Sequence, residues 1–324
     1  MDTMATSAGP KLAADTDSSA TTVQATATGW RRRSESRASD TRPSTRSRAR
    51  TAYAVSCCAS VSGAASRSMA PPTHTSVLTA TATPNGDGTY ALNGQKIYIT
   101  WGDHDATPNI VHLVLARLPD APPGPKGISL FLVETGDEGF SRGRKLDKIG
   151  LHGNDTSELF FDEVRLPADR LLGQEHSGFM MLMMQLPQER LSIAVQCQAA
   201  SQRGFDLAVE FTKERKAFGK TVFEFQNTRF TLADLKSRLQ VGWAHLDWAI
   251  ARHLEGKLTA AEASAAKLWH SEEQFKIVDA ALQLHGGAGY MNEYPIARLW
   301  RDSRVTRIYG GTSEIMKELV ARAI

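Results

Sequence analysis

Four short segments of the sequence combine residue types that could hold an anionic ligand or handle a proton. RKAFGK (residues 215–220) joins cations to an aromatic ring and a glycine, a composition suited to an anion held against a turn. LHGGAGY (284–290) and YGGTSEI (309–315) are glycine-rich, so their backbone could approach a phosphate closely. LPQER (186–190) places a carboxylate beside a guanidinium near a proline. The sequence thus offers three candidate anion sites and one carboxylate–cation pair.

Each of these segments also has an ordinary structural explanation. Cations at a helix C-terminus complement the helix dipole, which is the favoured interpretation of RKAFGK taken alone. A single glycine-rich loop is a weak signal for phosphate binding. Adjacent charges of the LPQER kind usually lie on a solvated helix face. Taken one at a time, none of the four segments identifies a site.

The first elements that would position these segments are strands. Residues 79–102 carry the turn signals NGDG at 85–88 and NG at 93–94 between β-forming residues, which predicts two hairpins. IVHLVLARL, GISLFLVE and SELFFDEVRLP predict further strands. We therefore expect an antiparallel β-sheet or barrel domain over residues 78–172.

The hydrophobic period then becomes helical. Residues 181–219 predict one long helix, or two in sequence, with Pro187 as the interior breaker. Further helices are expected from about residue 227 to 255 and from 259 to 284. The buried stripe predicted for the first of these comprises Phe230, Leu235, Leu239, Leu246 and Ile250. Short connections favour an antiparallel helical bundle over residues 173–324, which makes the fold class α+β.

The basic character of the chain belongs to its first residues. Residues 1–80 carry ten Lys and Arg against five Asp and Glu, a net charge of +5; since the whole chain is +3, residues 81–324 sum to −2. We interpret residues 1–77, with the run RRRSESRASDTRPSTRSRAR at 31–50, as a disordered low-complexity segment. A nucleic-acid arm lacks interleaved aromatic residues, and a transit peptide is opposed by early aspartates. A product of a shifted reading frame is the third interpretation.

Cysteine usage and hydropathy exclude two further classes. Cys57, Cys58 and Cys197 show no metal-ligand spacing, so we expect no metal site and a reducing compartment. The longest apolar run, FMMLMM at residues 179–184, is six residues long and cannot span a bilayer. A soluble protein without a nucleic-acid partner is expected.

In combination, the motifs resemble one family. The order and spacing of KLDKIGLHGNDTSELFFDEVRLPADRLLG, LPQERLSIA, ERKAFGK, LHGGAGYMNEYPIARLWRD and IYGGTSEIMKELVARA resemble the middle and carboxyl-terminal domains of the acyl-CoA dehydrogenases, over about residues 78–324. The resemblance implies an FAD flavoprotein of fatty acid β-oxidation that converts an acyl-CoA thioester to the trans-2-enoyl-CoA. It also implies electron transfer to an electron-transfer flavoprotein, a homodimer or homotetramer, and a cytoplasmic location, or the mitochondrial matrix in a eukaryote.

The same resemblance implies which residues contact FAD. Tyr98 would stack near the flavin ring and Thr100 would lie near N5. The pyrophosphate and adenosine would be met across a dimer interface by Arg215, Phe218, Gln226, Gln283, Gly286 and Gly287. Thr312 and Glu314 would touch FAD again.

The position of the catalytic base distinguishes two branches of the family. Many members carry a glutamate in a Tyr-Glu-Gly-Thr sequence, which falls on Gly310 here, and glycine cannot take a proton. A branch that includes the long-chain and isovaleryl-type enzymes places the base on the helix with a Glu-Arg pair, which matches Glu189 and Arg190. By similarity Glu189 is the base, Arg190 its neighbouring cation, and the Gly310 N–H polarises the thioester oxygen. Desolvation would raise the pKa of Glu189, and Arg190 would lower it.

The amino-terminal part departs from the family pattern. Family members begin with an all-helical domain and carry a Thr-Glu-Pro-Gly-like segment before the sheet, and residues 1–75 resemble neither. We expect that this region has been replaced through a frameshift or altered splicing. Two alternative functions remain open: a non-catalytic remnant that oligomerises through its bundle, and a flavin oxidase or monooxygenase on the same fold.

Overall fold

The computed structural model describes residues 55–57 and 80–324. The segment predicted to be disordered, residues 1–77 with its basic run at 31–50, lies outside the described residues except for 55–57. Cys58 lies outside them as well.

The first part of the described chain forms one seven-stranded sheet. Its strands are β1 (Val55–Cys57), β2 (Thr81–Pro84), β3 (Thr89–Thr100), β4 (Val111–Arg117), β5 (Ile128–Glu134), β6 (Phe140–Lys145) and β7 (Thr156–Pro167). The order is β1-β4-β2-β3-β7-β6, and β5 pairs with β4. The sheet is mainly antiparallel, as expected, but β1 and β2 each pair with β4 in parallel. After β3 the chain crosses to the far side of β2, so β4 arrives there in the same direction as β2.

One of the two predicted hairpins is present. The NGDG sequence at residues 85–88 forms the turn between β2 and β3, which pair antiparallel. The second signal is wrong, because Asn93 lies inside β3, next to a register shift in the β3–β7 pairing. The Asn93 side chain donates to the Glu163 carboxylate at 2.7 Å and accepts the Glu163 N–H at 2.9 Å. These cross-strand bonds satisfy the asparagine within a β-bulge, so no turn is needed.

The second part of the described chain is helical. Its helices are α1 (Gly178–Glu214), α2 (Gln226–Leu254), α3 (Ala260–Leu284), α4 (Pro295–Ser303) and α5 (Ser313–Ala321), and a small hairpin of β8 (Lys216–Ala217) and β9 (Lys220–Thr221) joins α1 to α2. Pro187 lies inside α1 without ending it, so of the two predicted alternatives the structure has one long helix. None of the helices in residues 80–324 is long and apolar enough to cross a membrane.

The buried stripe predicted for α2 is correct only in part. Leu235, Leu239 and Leu246 are buried, but the Phe230 side chain is 65% exposed. Five residues advance an α-helix by about 140° beyond a full turn, which carries Phe230 away from the face of Leu235. Leu232, three residues before Leu235, takes that place in the core.

The start of α1 is fixed directly on the sheet. A Cβ atom at Gly178 would lie 2.5 Å from the Ser129 carbonyl carbon and 2.6 Å from the Leu130 nitrogen. One turn later, Leu182 packs with Leu130 and other buried side chains of β4 and β5. The absence of a side chain at position 178 therefore lets α1, which carries the predicted base, lie against β5.

This close approach predicts a stability effect. Replacing Gly178→Ala should destabilise the protein by about 1–3 kcal/mol, because the added methyl group meets backbone atoms that cannot move aside. Urea unfolding followed by circular dichroism measures the change. Gly136→Ala is the matched control, since a Cβ there meets nothing within 4 Å. Equal stability of the two variants would contradict direct packing of α1 on β5.

Candidate active site

The predicted base and the glycine turn converge in the structure. Glu189 lies on α1, and Gly310 lies in the turn before α5. Gly310 has a φ of 65°, in the left-handed region that favours glycine. A Cβ atom at Gly310 would collide with the Ile193 side chain and would lie 3.8 Å from Glu189 Oε1. The side of Gly310 that would carry a side chain therefore faces the Glu189 carboxylate.

The protein environment shifts the Glu189 carboxyl toward its neutral form. Glu189 remains accessible to solvent, yet desolvation by the surrounding protein raises its pKa, and the neighbouring Arg190 opposes this with a smaller effect. The sequence left open which of these two effects is larger, and the net result is a raised pKa of Glu189. A carboxylate with a raised pKa is a stronger proton acceptor than an ordinary surface glutamate.

Arg190 points away from solvent. Its side chain is buried, and Nη1 donates to the Ser264 hydroxyl on α3 at 3.2 Å. Burial lowers the pKa of Arg190, and the Glu189 carboxylate opposes the shift. The interpretation of LPQER as a solvated charge pair is wrong for Arg190, because its guanidinium is packed between α1 and α3.

The turn that carries Gly310 is held by α3 and by its own helix cap. The Thr312 hydroxyl accepts the Ile315 N–H at 3.4 Å at the N-terminus of α5. Ser313 donates its hydroxyl hydrogen to Glu272 at 2.7 Å, and Lys267 donates from Nζ to the Gly311 carbonyl at 2.7 Å. The predicted contact residue Glu314 is exposed in the first turn of α5.

Lys267 and Glu272 were not predicted from the sequence. A signal for Lys267 is present in the helical period. Lys267 follows buried Ala263 by four residues and precedes buried His270 by three, so it falls on the inner face of α3. A lysine at such a position is unusual, because lysine is almost never fully buried.

A second group of predicted residues lies at the other end of the bundle, around the β8–β9 hairpin and the end of α3. These residues are all exposed: Arg215, Phe218, Gln226, Gln283, Gly286 and Gly287. Phe218 is 96% exposed and has a φ of 52°. At Gly286 and Gly287 an added Cβ would meet nothing within 4 Å, so a ligand could approach this backbone closely.

The structure does not bring the two groups together within one chain. Glu189 lies in the first half of α1, and Arg215 follows the last residue of this helix, 26 residues later in the chain. At 1.5 Å per residue this corresponds to about 39 Å. Within one chain, the predicted residues therefore form two separate groups.

The last two predicted contacts lie at the end of β3. Tyr98 is 68% exposed and has a φ of 63°, and Thr100 pairs with Thr156 of β7. Trp101, which follows, is 42% exposed with a φ of 59°. This strand end therefore presents two aromatic rings to solvent on a backbone conformation that is costly for such residues.

These features fit an aromatic, anionic cofactor such as FAD better than a metal ion. Exposed rings at Tyr98 and Phe218 offer stacking surfaces, and Arg215 and the open backbone at Gly286 suit a pyrophosphate. Within residues 55–57 and 80–324, no three His, Cys, Asp or Glu side chains are grouped as metal ligands.

Comparison with known families agrees with this geometry. The family described as "Acyl-CoA dehydrogenase, middle domain" matches residues 68–164. The family described as "Acyl-CoA dehydrogenase, C-terminal domain" matches residues 176–324. The first match includes β2 to β6 and most of β7, and the second includes all five helices.

Individual proteins are similar over the same region. The long-chain specific acyl-CoA dehydrogenase of Sus scrofa mitochondria is 50% identical over 235 residues, which are 72% of this chain and 54% of that protein. An acyl-CoA dehydrogenase structure from Geobacillus kaustophilus has a TM-score of 0.72 at 45% identity, covering 76% of this chain and 64% of that one.

A third match comes from a structure titled for the electron transferring flavoprotein of Acidaminococcus fermentans. Its TM-score is 0.70 at 34% identity, over 76% of this chain and 63% of that one. The chain spans a little more than half the length of the Sus scrofa relative. With a matching sheet, a matching bundle and 50% identity to one member, the chain belongs to the acyl-CoA dehydrogenase family.

Proposed function

We propose that the chain removes an α-proton and a β-hydride from an acyl-CoA thioester to give the trans-2-enoyl-CoA, with Glu189 as the base. The observation that carries the proposal is the Glu189 carboxylate, with its raised pKa, facing Gly310. Because the chain spans 54% of its Sus scrofa relative, the activity of that longer protein supports the proposal but does not transfer directly.

Two groups of the chain act on the thioester in this proposal. Glu189 accepts the α-proton, and its raised pKa lowers the cost of holding that proton. The Gly310 N–H donates to the thioester oxygen and stabilises the negative charge that develops there. Since Ile193 fills the space a side chain would need at position 310, the proton acceptor comes from α1.

FAD is the proposed cofactor, bound between two copies of the chain. When bound, it supplies the acceptor for the β-hydride. Tyr98 and Thr100 would lie against the flavin, with Thr312 and Glu314 near it. The partner chain would contribute its own exposed group around Arg215 and Phe218, because the two groups are about 39 Å apart within one chain. A homodimer, or a homotetramer built from two such pairs, completes the site.

The partners follow from the same family membership. We propose an electron-transfer flavoprotein as the electron acceptor, which is supported by the Acidaminococcus fermentans structure titled for such a protein. The Sus scrofa relative is named as long-chain specific and mitochondrial, so long-chain acyl-CoA and that compartment are proposed first.

Removing the base tests the assignment. The Glu189→Gln variant should lose acyl-CoA-dependent bleaching of bound FAD by about 10²–10⁴-fold, because glutamine cannot accept the proton. Stopped-flow absorbance measures bleaching, and a separate titration should give unchanged FAD affinity. Glu210→Gln is the matched control, an exposed glutamate on the same helix. Bleaching by Glu189→Gln at the wild-type rate would refute the base.

The same experiment separates the alternatives. Wild-type protein that stays colourless after incubation with FAD would favour a non-catalytic remnant. Turnover with oxygen but not with a flavoprotein acceptor would favour the oxidase class.

A shared site predicts complementation between two inactive variants. Glu189→Gln and Arg215→Glu should each be inactive, the second because a carboxylate repels the pyrophosphate. Dissociating and reassociating a mixture should restore bleaching in roughly a quarter of the sites, because hybrid dimers contain one site with both native groups. No recovery in a mixture proven by mass spectrometry to contain hybrids would place both groups in one chain's site.

A further inference from the structure

Lys267 is a buried cation directly beneath the Gly310 turn. Its side chain is 0% exposed on α3, and Nζ donates to the Gly311 carbonyl at 2.7 Å. Burying an ammonium group is costly unless it is paired, so such a residue needs a compensating role. The hydrogen bond joins the inner face of α3 to the peptide that follows Gly311.

The glycine pair lies against Ile193 of α1 and Met316 of α5, whose apolar side chains cannot hydrogen-bond to its backbone. Gly310 and Gly311 have φ angles of 65° and 99°, and glycine adopts such positive φ angles about as readily as negative ones. Ser313, two residues later, is held by Glu272, and Thr312 caps α5. Lys267 on α3 donates its hydrogen bond to the glycine pair itself, at the Gly311 carbonyl.

We propose that Lys267 is a positioning residue that holds the Gly310–Gly311 pair beside Glu189 by donating to the Gly311 carbonyl. The inference rests on the proposed function, because the Gly310 N–H needs a fixed direction only if it meets the thioester oxygen. A displaced N–H would weaken transition-state binding more than substrate binding, since the charge on that oxygen develops during proton removal.

The charges around Lys267 give the inference a pH signature. Burial, together with a smaller effect of Arg190 on α1, lowers the pKa of Lys267 to about 8. Cys197 on α1, Glu272 on α3 and Glu314 on α5 act in the opposite direction. Burial raises the pKa of Cys197 to about 11, and hydrogen bonds lower those of both glutamates.

Among these groups, Lys267 is therefore the one that loses its proton near pH 8. Below that pH the ammonium makes a charge-assisted bond to the Gly311 carbonyl, and above it the neutral amine makes a weaker one. The Glu189 carboxylate, whose pKa is raised from 4.5, is active on the alkaline side of its own transition. The rate of proton removal should then rise with pH through Glu189 and fall again through Lys267.

The first test reads the carbonyl directly and needs no cofactor. The dipeptide Gly-Thr occurs at Gly88–Thr89 and Gly311–Thr312 in the sequence. Labelling with carbonyl-¹³C glycine and ¹⁵N threonine therefore gives two carbonyl–amide correlations from the full chain. The Gly311 carbonyl should titrate with a midpoint near pH 8, and the Gly88 carbonyl, in an exposed turn, should not.

Lys267→Met supplies the matched comparison, because methionine has a similar length and no donor. In this variant the Gly311 signal should be displaced and should no longer titrate, while Lys276→Met, an exposed lysine on the same helix, should leave it unchanged. A Gly311 carbonyl that does not titrate in the wild type would overturn the inference, and so would one that is unmoved in a folded Lys267→Met variant. The wild-type titration decides the matter even if the variant folds poorly.

The second test uses the FAD-loaded protein. Lys267→Met should lower the bleaching rate at saturating acyl-CoA by about tenfold and remove the alkaline fall, with FAD and acyl-CoA affinities changed less than about twofold. Affinities that fall in proportion to the rate would indicate a structural role and overturn the positioning role. Failure of the wild type to bind FAD would contradict the proposed function and leave the carbonyl titration as an independent result.

Discussion

The close approach of α1 to the Gly310 turn is the constraint on which the rest of the site depends. Ile193 occupies the space that a side chain at position 310 would need, so the present packing of α1 fits glycine there. The left-handed φ of Gly310 also favours glycine. With glycine at this position the turn carries no carboxylate, and Glu189, one helical turn before Ile193, provides one on the same face of α1. Packing and chemistry are therefore set by the same contact.

This constraint also explains the buried cations. A turn of two glycines is conformationally free in isolation, so its geometry must be imposed by neighbours. Lys267 does so from α3, and Arg190 reaches Ser264 on the same helix. Both cations are buried near the turn and are not exposed to solvent. Positive charge at such a position would stabilise negative charge that develops on a ligand. The desolvation that makes them costly is also what raises the pKa of Glu189.

The sequence predicted those features that depend on local pattern. The pairing of Glu189 with Gly310 could be anticipated, because a missing carboxylate in one motif and a Glu-Arg pair in another are both readable along the chain. The role of Asn93 and the exposure of Phe230 could not, since cross-strand bonding decided the first and helical phase the second. Lys267 was missed for a different reason: lysine usually indicates a surface position, and this expectation outweighed the helical period that places Lys267 on the inner face of α3.

The surroundings of the two ends of α1 differ in how far they are buried. Around Glu189, groups are held by buried contacts within the chain, whereas around Phe218 the aromatic ring and the glycines are left open. An exposed aromatic residue with a left-handed backbone has a conformational cost that its own chain does not offset. A surface of this kind gains stability only when something covers it. The exposed residues around Phe218 therefore support the proposal that a ligand is shared between two copies of the chain, since they lie about 39 Å from Glu189 along α1.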